Sequence, residues 1–180
     1  NVKPRRGFTN GMFIVDFIEE NPEELTFSLL FENDSLLSIP VNITESCTLV
    51  EDKYFCEINT NLSVYEEEEI TYWFTLVDIA GNSDQSDEKM LIIDTTMPVI
   101  DSIETTIDKS RVHFSISINE TNFDSLTYLD FNETHQKERL LCSKLKNNLC
   151  EKTKTFRRGE HTIMIIATDK GGNKVFENIL

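Results

Sequence analysis

The chain repeats itself. Residues 12–27, MFIVDFIEENPEELTF, lie without gaps on the run VHFSISINETNFDSLTY that starts at Val112. A shift of 101 pairs Phe13 with Phe114, Phe17 with Ile118, Glu19 with Glu120, Asn21 with Asn122 and Leu25 with Leu126. Further on, Cys47 matches Cys142 and Cys56 matches Cys150. ITYWFTLVDIAGN then matches HTIMIIATDKGGN at a shift of 91. The shift falls only between matched apolar runs, where loops tolerate deletion best. A repeat of this period means two copies of one folding unit, expected over residues 1–96 and 97–180.

The join is expected within IIDTTMPVI, residues 92–100. Pro98 lacks an N–H for a sheet ladder and biases Met97 toward extended backbone, which makes a short, stiff connector. Charge divides at the same place. Residues 1–97 hold 5 basic and 20 acidic side chains, whereas residues 98–180 hold 12 of each. The whole net charge of -15 therefore sits on the first copy. Such a balance excludes a nucleic-acid backbone as partner, because phosphate binding needs Lys and Arg to release counterions. The 12 Phe and a 39% apolar content can fill a core, which excludes a disordered acidic tail. No apolar run reaches the ~18 residues of a membrane span, and no signal peptide is recognisable.

Within each copy the apolar period is two. Phe13, Val15 and Phe17 alternate with Ile14, Asp16 and Ile18; Tyr72, Phe74 and Leu76 alternate with Trp73, Thr75 and Val77. Strands are expected near 12–18, 25–31, 39–44, 54–62, 70–78 and 89–94. The second set is expected near 102–106, 111–119, 125–132, 139–145, 149–156, 161–169 and 174–180. About seven short strands per ~90 residues is the pattern of an immunoglobulin-like β-sandwich. The fold class is thus all-β: two tandem sandwiches with almost no helix. Outward residues such as Trp73, Val77, Met164 and Ile166 are apolar, as scattered surface residues normally are.

Each copy carries one pair of cysteines, nine residues apart in the first and eight in the second. Pairing within each copy gives Cys47–Cys56 and Cys142–Cys150, closed over turns at Glu51–Asp52 and Asn147–Asn148. The spacing is far shorter than that of the inter-sheet bridge in antibody domains. Chain entropy gives roughly 2.7 kcal/mol per bridge, and disulfides imply an oxidising, extracellular compartment. Metal ligation is the alternative, but CxxC spacing is absent and no His lies near either pair. Asn33, Asn42, Asn61, Asn119 and Asn132 each begin an N-glycosylation sequon, against about three expected by chance.

Asp78-Ile-Ala-Gly81-Asn82 and Asp169-Lys-Gly-Gly172-Asn173 each follow an apolar strand. They read as hairpin turns in which Asp caps, Gly takes positive φ and Asn tolerates the left-handed region. The sharper reading is calcium, with Asp78 or Asp169 joined by Asp94 or Asp101, although no DxDxDG loop is present. The turn reading needs no cofactor, and calcium is the one cofactor the alternative would bring. Strand runs ending in DIAGN and IDTTMP, the E-x-N motif (Glu19 to Asn21, Glu120 to Asn122) and the hairpin cysteines resemble the tandem immunoglobulin-like repeats of prokaryotic cell-surface proteins. They are similar to archaeal versions in particular. The resemblance covers both copies. It implies that fold, an extracellular address and no family-wide catalytic residues.

No GxSxG, HExxH, phosphate-binding glycine loop or dinucleotide fingerprint occurs. His113 and His161 fall in strands and His135 in a polar loop. The run Glu66–Glu69 reads as a solvated corner between strands. Lys144, Lys146, Lys152, Lys154, Arg157 and Arg158 surround the second cysteine pair and form a candidate surface for an anionic glycan or an acidic neighbour. The expected role is a non-catalytic spacer, stalk or surface-assembly subunit. Its partners would be neighbouring repeats, in possible head-to-tail self-contact. The alternative is an adhesin or glycan- or protein-recognition module; a third reading is an accessory pair of domains from a secreted hydrolase.

Overall fold

The computed structural model describes residues 1–179, divided into two compact units, Asn1–Thr95 and Thr96–Leu180. Leu180, the last residue of the expected strand 174–180, lies outside the described residues.

In the first unit the strands are β1 (Val2–Lys3), β2 (Phe8–Thr9), β3 (Met12–Ile18), β4 (Pro22–Phe31), β5 (Leu36–Val41), β6 (Cys47–Val50), β7 (Lys53–Asn59), β8 (Glu69–Asp78), β9 (Ser83–Gln85) and β10 (Lys89–Ile93). One sheet has the order β1-β3-β7-β6; the other runs β2-β10-β8-β4-β5, with β9 also on β8. Helix is confined to one turn, α1 (Ile43–Ser46), and a 3₁₀ turn at Ser63–Tyr65. The alternating residues behave as the period demands. Phe13 and Val15 from one sheet meet Phe27, Tyr72 and Phe74 from the other, all buried. The Phe13 ring lies 4.6 Å from Phe27 and 4.8 Å from Tyr72. Each such side chain contributes ~2–3 kcal/mol of burial. The Tyr72 hydroxyl donates to Pro4 O at 2.5 Å and ties the N-terminal segment to the core, and burial pushes its pKa up.

Four short strands, β1, β2, β6 and β9, were not expected, since two to four residues leave no period to read. Gly11 sets the tight turn between β2 and β3. Its φ is +97°, and a Cβ there would come within 2.1 Å of Thr60 O.

In the second unit the strands are β11 (Val99–Asp108), β12 (Arg111–Asn119), β13 (Phe123–Asp130), β14 (Arg139–Cys142), β15 (Leu149–Thr155), β16 (Ile163–Asp169) and β17 (Lys174–Ile179). They form two sheets, β11-β12-β15 and β14-β13-β16-β17. Phe114, Ile116, Leu126, Tyr128 and Ile165 fill the space between them. The expected strand 102–106 is only the middle of β11, because Pro98 is followed at once by ladder residues, with a bulge between Ile100 and Ser102. The connector is therefore shorter than 92–100: five residues separate Ile93 from Val99.

Registers fix the direction of the chain in each unit. In the second, Val99 pairs with Asn119 at the end of the unit that carries the 120–122 and 170–173 turns. Ile179 pairs with Ile163 at the opposite end, beside the turn after Asp108. In the first unit Val2 pairs with Val15 toward the 19–21 turn, and Ile93 lies beside Thr9 at the far end. Each unit thus takes the chain in at one pole and releases it at the other.

Candidate functional site

The repeated motifs converge on one pole of each unit as a clamp. The Glu19 side chain accepts the N–H of Asn21 at 3.0 Å, and Glu120 accepts that of Asn122 at 2.6 Å. The Asn21 carbonyl then accepts the N–H of Ile79, and the Asn122 carbonyl that of Lys170. E-x-N therefore binds the turn between β3 and β4 in the first unit, and between β12 and β13 in the second, to the Asp-Gly-Asn turn.

Within the latter, Asp78 Oδ1 accepts from the backbone of Ala80 and Asn82 at 2.8 and 2.9 Å, and Oδ2 accepts from Asn82 Nδ2 at 2.7 Å. Asp169 repeats the pattern with Gly172 and Asn173, at 2.7, 2.9 and 2.8 Å. The Asn82 amide above all, together with these N–H groups, holds the Asp78 carboxyl below its ordinary pKa. Gly81 and Gly172 take φ of 83° and 94°, as the turns require. Asn82 and Asn173 do not enter the left-handed region. Their contribution is the side-chain amide, which donates to the Asp carboxylate.

The four aspartates weighed for calcium are placed as follows. Asp78 and Asp169 are engaged by their turns, and Asp94 is buried just past β10. Asp78 and Asp94 stand toward opposite ends of β8, because Ile92 pairs with Glu69. Asp101 is exposed at the β11 bulge. Among the described residues no three of His, Cys, Asp or Glu gather as a metal cluster.

Both disulfides form, Cys47–Cys56 and Cys142–Cys150. Cys47 faces Cys56 directly across the β6–β7 ladder. Cys142 and Cys150 flank a tight turn in which Asn147 and Asn148 both have positive φ, 52° and 60°, the type I′ geometry of a two-residue hairpin loop. Lys146 and Leu149 exchange both backbone hydrogen bonds across it. Yet β14 and β15 belong to different sheets, so this second local bridge also joins the halves of its sandwich. The second unit has no counterpart of β6, and its cysteine is carried by the strand next to β13 instead.

All five sequon asparagines are exposed. Asn33, Asn42 and Asn61 each accept the backbone N–H of their own Ser or Thr, and the hydroxyls of Thr44 and Ser63 donate to Asn42 and Asn61 at 2.7 and 2.8 Å. Asn119 ends β12, and Asn132 Oδ1 accepts the Thr162 N–H at 2.9 Å.

The six basic residues do not form a compact patch. Lys144 and Lys146 lie in the turn, Lys152 and Lys154 on β15, and Arg157 and Arg158 beyond it, so they run along one sheet edge for ~35 Å. Lys152 and Lys154 share a face with buried Cys150 and Phe156, and Lys154 Nζ sits 6.0 Å from the Tyr128 ring centroid. Core-side lysines on an edge strand block pairing with another strand.

One constellation escaped the sequence reading. His161 Nδ1 lies 2.6 Å from Asp130 Oδ2, with Asp130 buried on β13, and His161 Nε2 lies 2.8 Å from Arg157 O. Carboxylate and carbonyl only accept, so satisfying both requires a ring with two protons. The Arg157 carbonyl above all raises the His161 pKa, against the effect of burial, and the Asp130 and Glu133 carboxylates add to it. Glu133 is itself paired with Arg139. The ring packs on Phe156 and fixes the 157–161 turn between two clefts of about 910 and 760 Å³. A lone His thirty-one residues from its Asp carries no sequence signal.

In sequence, no family model and no curated protein matches the chain. In structure it is similar to the FN1–FN3 domains of chicken CNTN1, with a TM-score of 0.59 at 10% identity, over 99% of this chain and 65% of that one. The chain thus spans just under two thirds of that structure. The fibronectin(III)-like modules of Clostridium thermocellum CbhA match at 12% identity with a TM-score of 0.45, over 99% of this chain and 90% of that one. A chimeric titin Z1Z2 tandem matches at 12% and 0.36, over 99% and 95%. At these identities the likeness is one of fold: tandem immunoglobulin- and fibronectin-type β-sandwiches.

Proposed function

We propose that this segment is a non-catalytic extracellular spacer, a pair of modules that adds length to a longer surface protein. The observation that carries the reading is the path of the chain: each unit receives it at one pole and releases it at the other. Units joined in series would each add ~30 Å, the length of a ten-residue strand. Two disulfides favour an oxidising compartment. The carboxylates and amides of the clamp at the turn pole hold the two turns together, which supports a structural role. The test is to duplicate residues 97–180 and compare maximum dimensions by small-angle X-ray scattering. A gain of ~30 Å per added unit is expected; an unchanged dimension would defeat the spacer reading.

Adhesion is the second reading, favoured by the basic edge of the second unit. Reversing Lys144, Lys146, Lys152 and Lys154 to Glu leaves a spacer's folding and display intact. Loss of glycan or cell attachment at unchanged melting would replace the spacer with an adhesin.

A further inference from the structure

The first unit carries 20 acidic side chains, yet one of its faces is almost free of charge. Register places Met90, Thr71, Leu30 and Leu36 in a row across four strands of the larger sheet, all pointing away from the core. The adjoining row is Trp73, Ser28 and Ser38. Among the outward residues of that sheet only Glu24 and Glu69 are charged, and they stand at the two ends of the face. Met90 and Leu36 are 60% and 59% exposed. The hydroxyls are already bonded within the face: Ser28 to Ser38 at 3.4 Å, and Thr26 to Glu24 at 3.2 Å. These hydroxyls keep their partners when the face is covered, which lowers the desolvation cost of covering it.

We infer that this face is a docking surface for a second copy of the same chain, sheet face against sheet face. The occupant follows from charge. Two such acidic units repel wherever their carboxylates meet, and this face is where they can approach without that penalty. A cationic partner would be drawn to the acidic surfaces elsewhere, and the face offers nothing to attract one. An identical face is uncharged to match, and a two-fold axis brings the two together. Sheets pack face to face ~10 Å apart, a separation that short Ser and Thr side chains at the centre permit. Five paired strands by eight residue steps give a projected area of ~600 Å², near the ~800 Å² per partner of a standard interface. The pair is therefore reversible. This inference goes beyond the spacer reading, which is judged on length alone.

Its signature is the sign of the salt effect. Apolar pairing between like-charged bodies strengthens as salt screens the acidic rims, with the Debye length falling from ~10 Å at 0.1 M to ~3 Å at 1 M. Sedimentation velocity of the 180-residue chain, from about 10 µM to about 1 mM, is expected to show a monomer–dimer equilibrium that tightens at the higher salt. Leu36→Glu with Met90→Glu is expected to weaken the dimer by about 100-fold, since like charges then face each other. Leu49→Glu with Val64→Glu adds the same charge at exposed positions off the face and is expected to leave the dimer in place. Circular dichroism melting verifies that both variants fold. A chain monomeric at the highest concentration in both salts overturns the inference. So does association that weakens with salt, or equal loss of the dimer in the two variants.

Discussion

Asp169 and Asp78 each accept three hydrogen bonds within their turns, but Asp169 is 2% exposed whereas Asp78 is half-buried. Removing the Asp169 carboxylate strands the buried backbone N–H and side-chain amide of Asn173. Asp169→Ala is expected to cost about 3 kcal/mol in urea unfolding, and Asp78→Ala clearly less, because water can reach its donors. His161 gives the second unit a pH dependence with a definite sign. Its folded pKa is raised, so the contribution is complete below the unfolded value of ~6.5 and drains away as pH rises through the folded value. The melting difference between the wild-type chain and His161→Gln is therefore expected to be largest near pH 6 and to shrink toward pH 9. A difference that grew with pH would mean that the ring is held neutral.

Among the elements, long strands were legible because seven or more alternating residues define a face. β3, β8, β12 and β16 fall within two residues of their expected positions. β1, β2, β6 and β9 were not, since their existence depends on which neighbour lies alongside rather than on their own few residues. The E-x-N and Asp-Gly-Asn motifs were visible as repeats, but their purpose was not. The bonds from Asn21 to Ile79 and from Asn122 to Lys170 join segments about fifty residues apart. The uncharged face lay equally hidden. Each strand contributes only two to four of its residues, and the register that sets them in rows is a tertiary fact. The disulfides show the same division. Pairing followed from the repeat, whereas the assignment of β14 to the opposite sheet did not. Both loops are of similar length, so chain entropy alone gives roughly 2.7 kcal/mol for each. Cys142→Ser with Cys150→Ser is nonetheless expected to cost more than the Cys47, Cys56 pair of changes, because only the former also frees one sheet from the other. Chemical denaturation of the two double variants checks this.

For the whole molecule, the uneven charge predicts uneven response to salt. Self-repulsion destabilises the acidic first unit and not the neutral second. The single tryptophan, Trp73, belongs to the first unit and reports its unfolding separately. Raising salt to about 0.5 M is expected to lift the fluorescence-detected Tm by about 5 °C, while the His161-dependent transition stays in place. A further contrast between the units concerns mechanical load. In the first, β2 and β10 lie side by side in parallel, so once β1 has left β3 a pull on the two ends shears a ladder that links them directly. In the second, β11 and β17 belong to different sheets. Tension entering by one must cross the sandwich to leave by the other, and the Cys142–Cys150 bridge is a covalent crossing. Stretched end to end, the first unit yields when a few hydrogen bonds slide. In the second the strands on either side of the sandwich are also tied by a bridge, and each unit keeps a covalently locked loop, residues 47–56 or 142–150, as hidden length after its strands have parted.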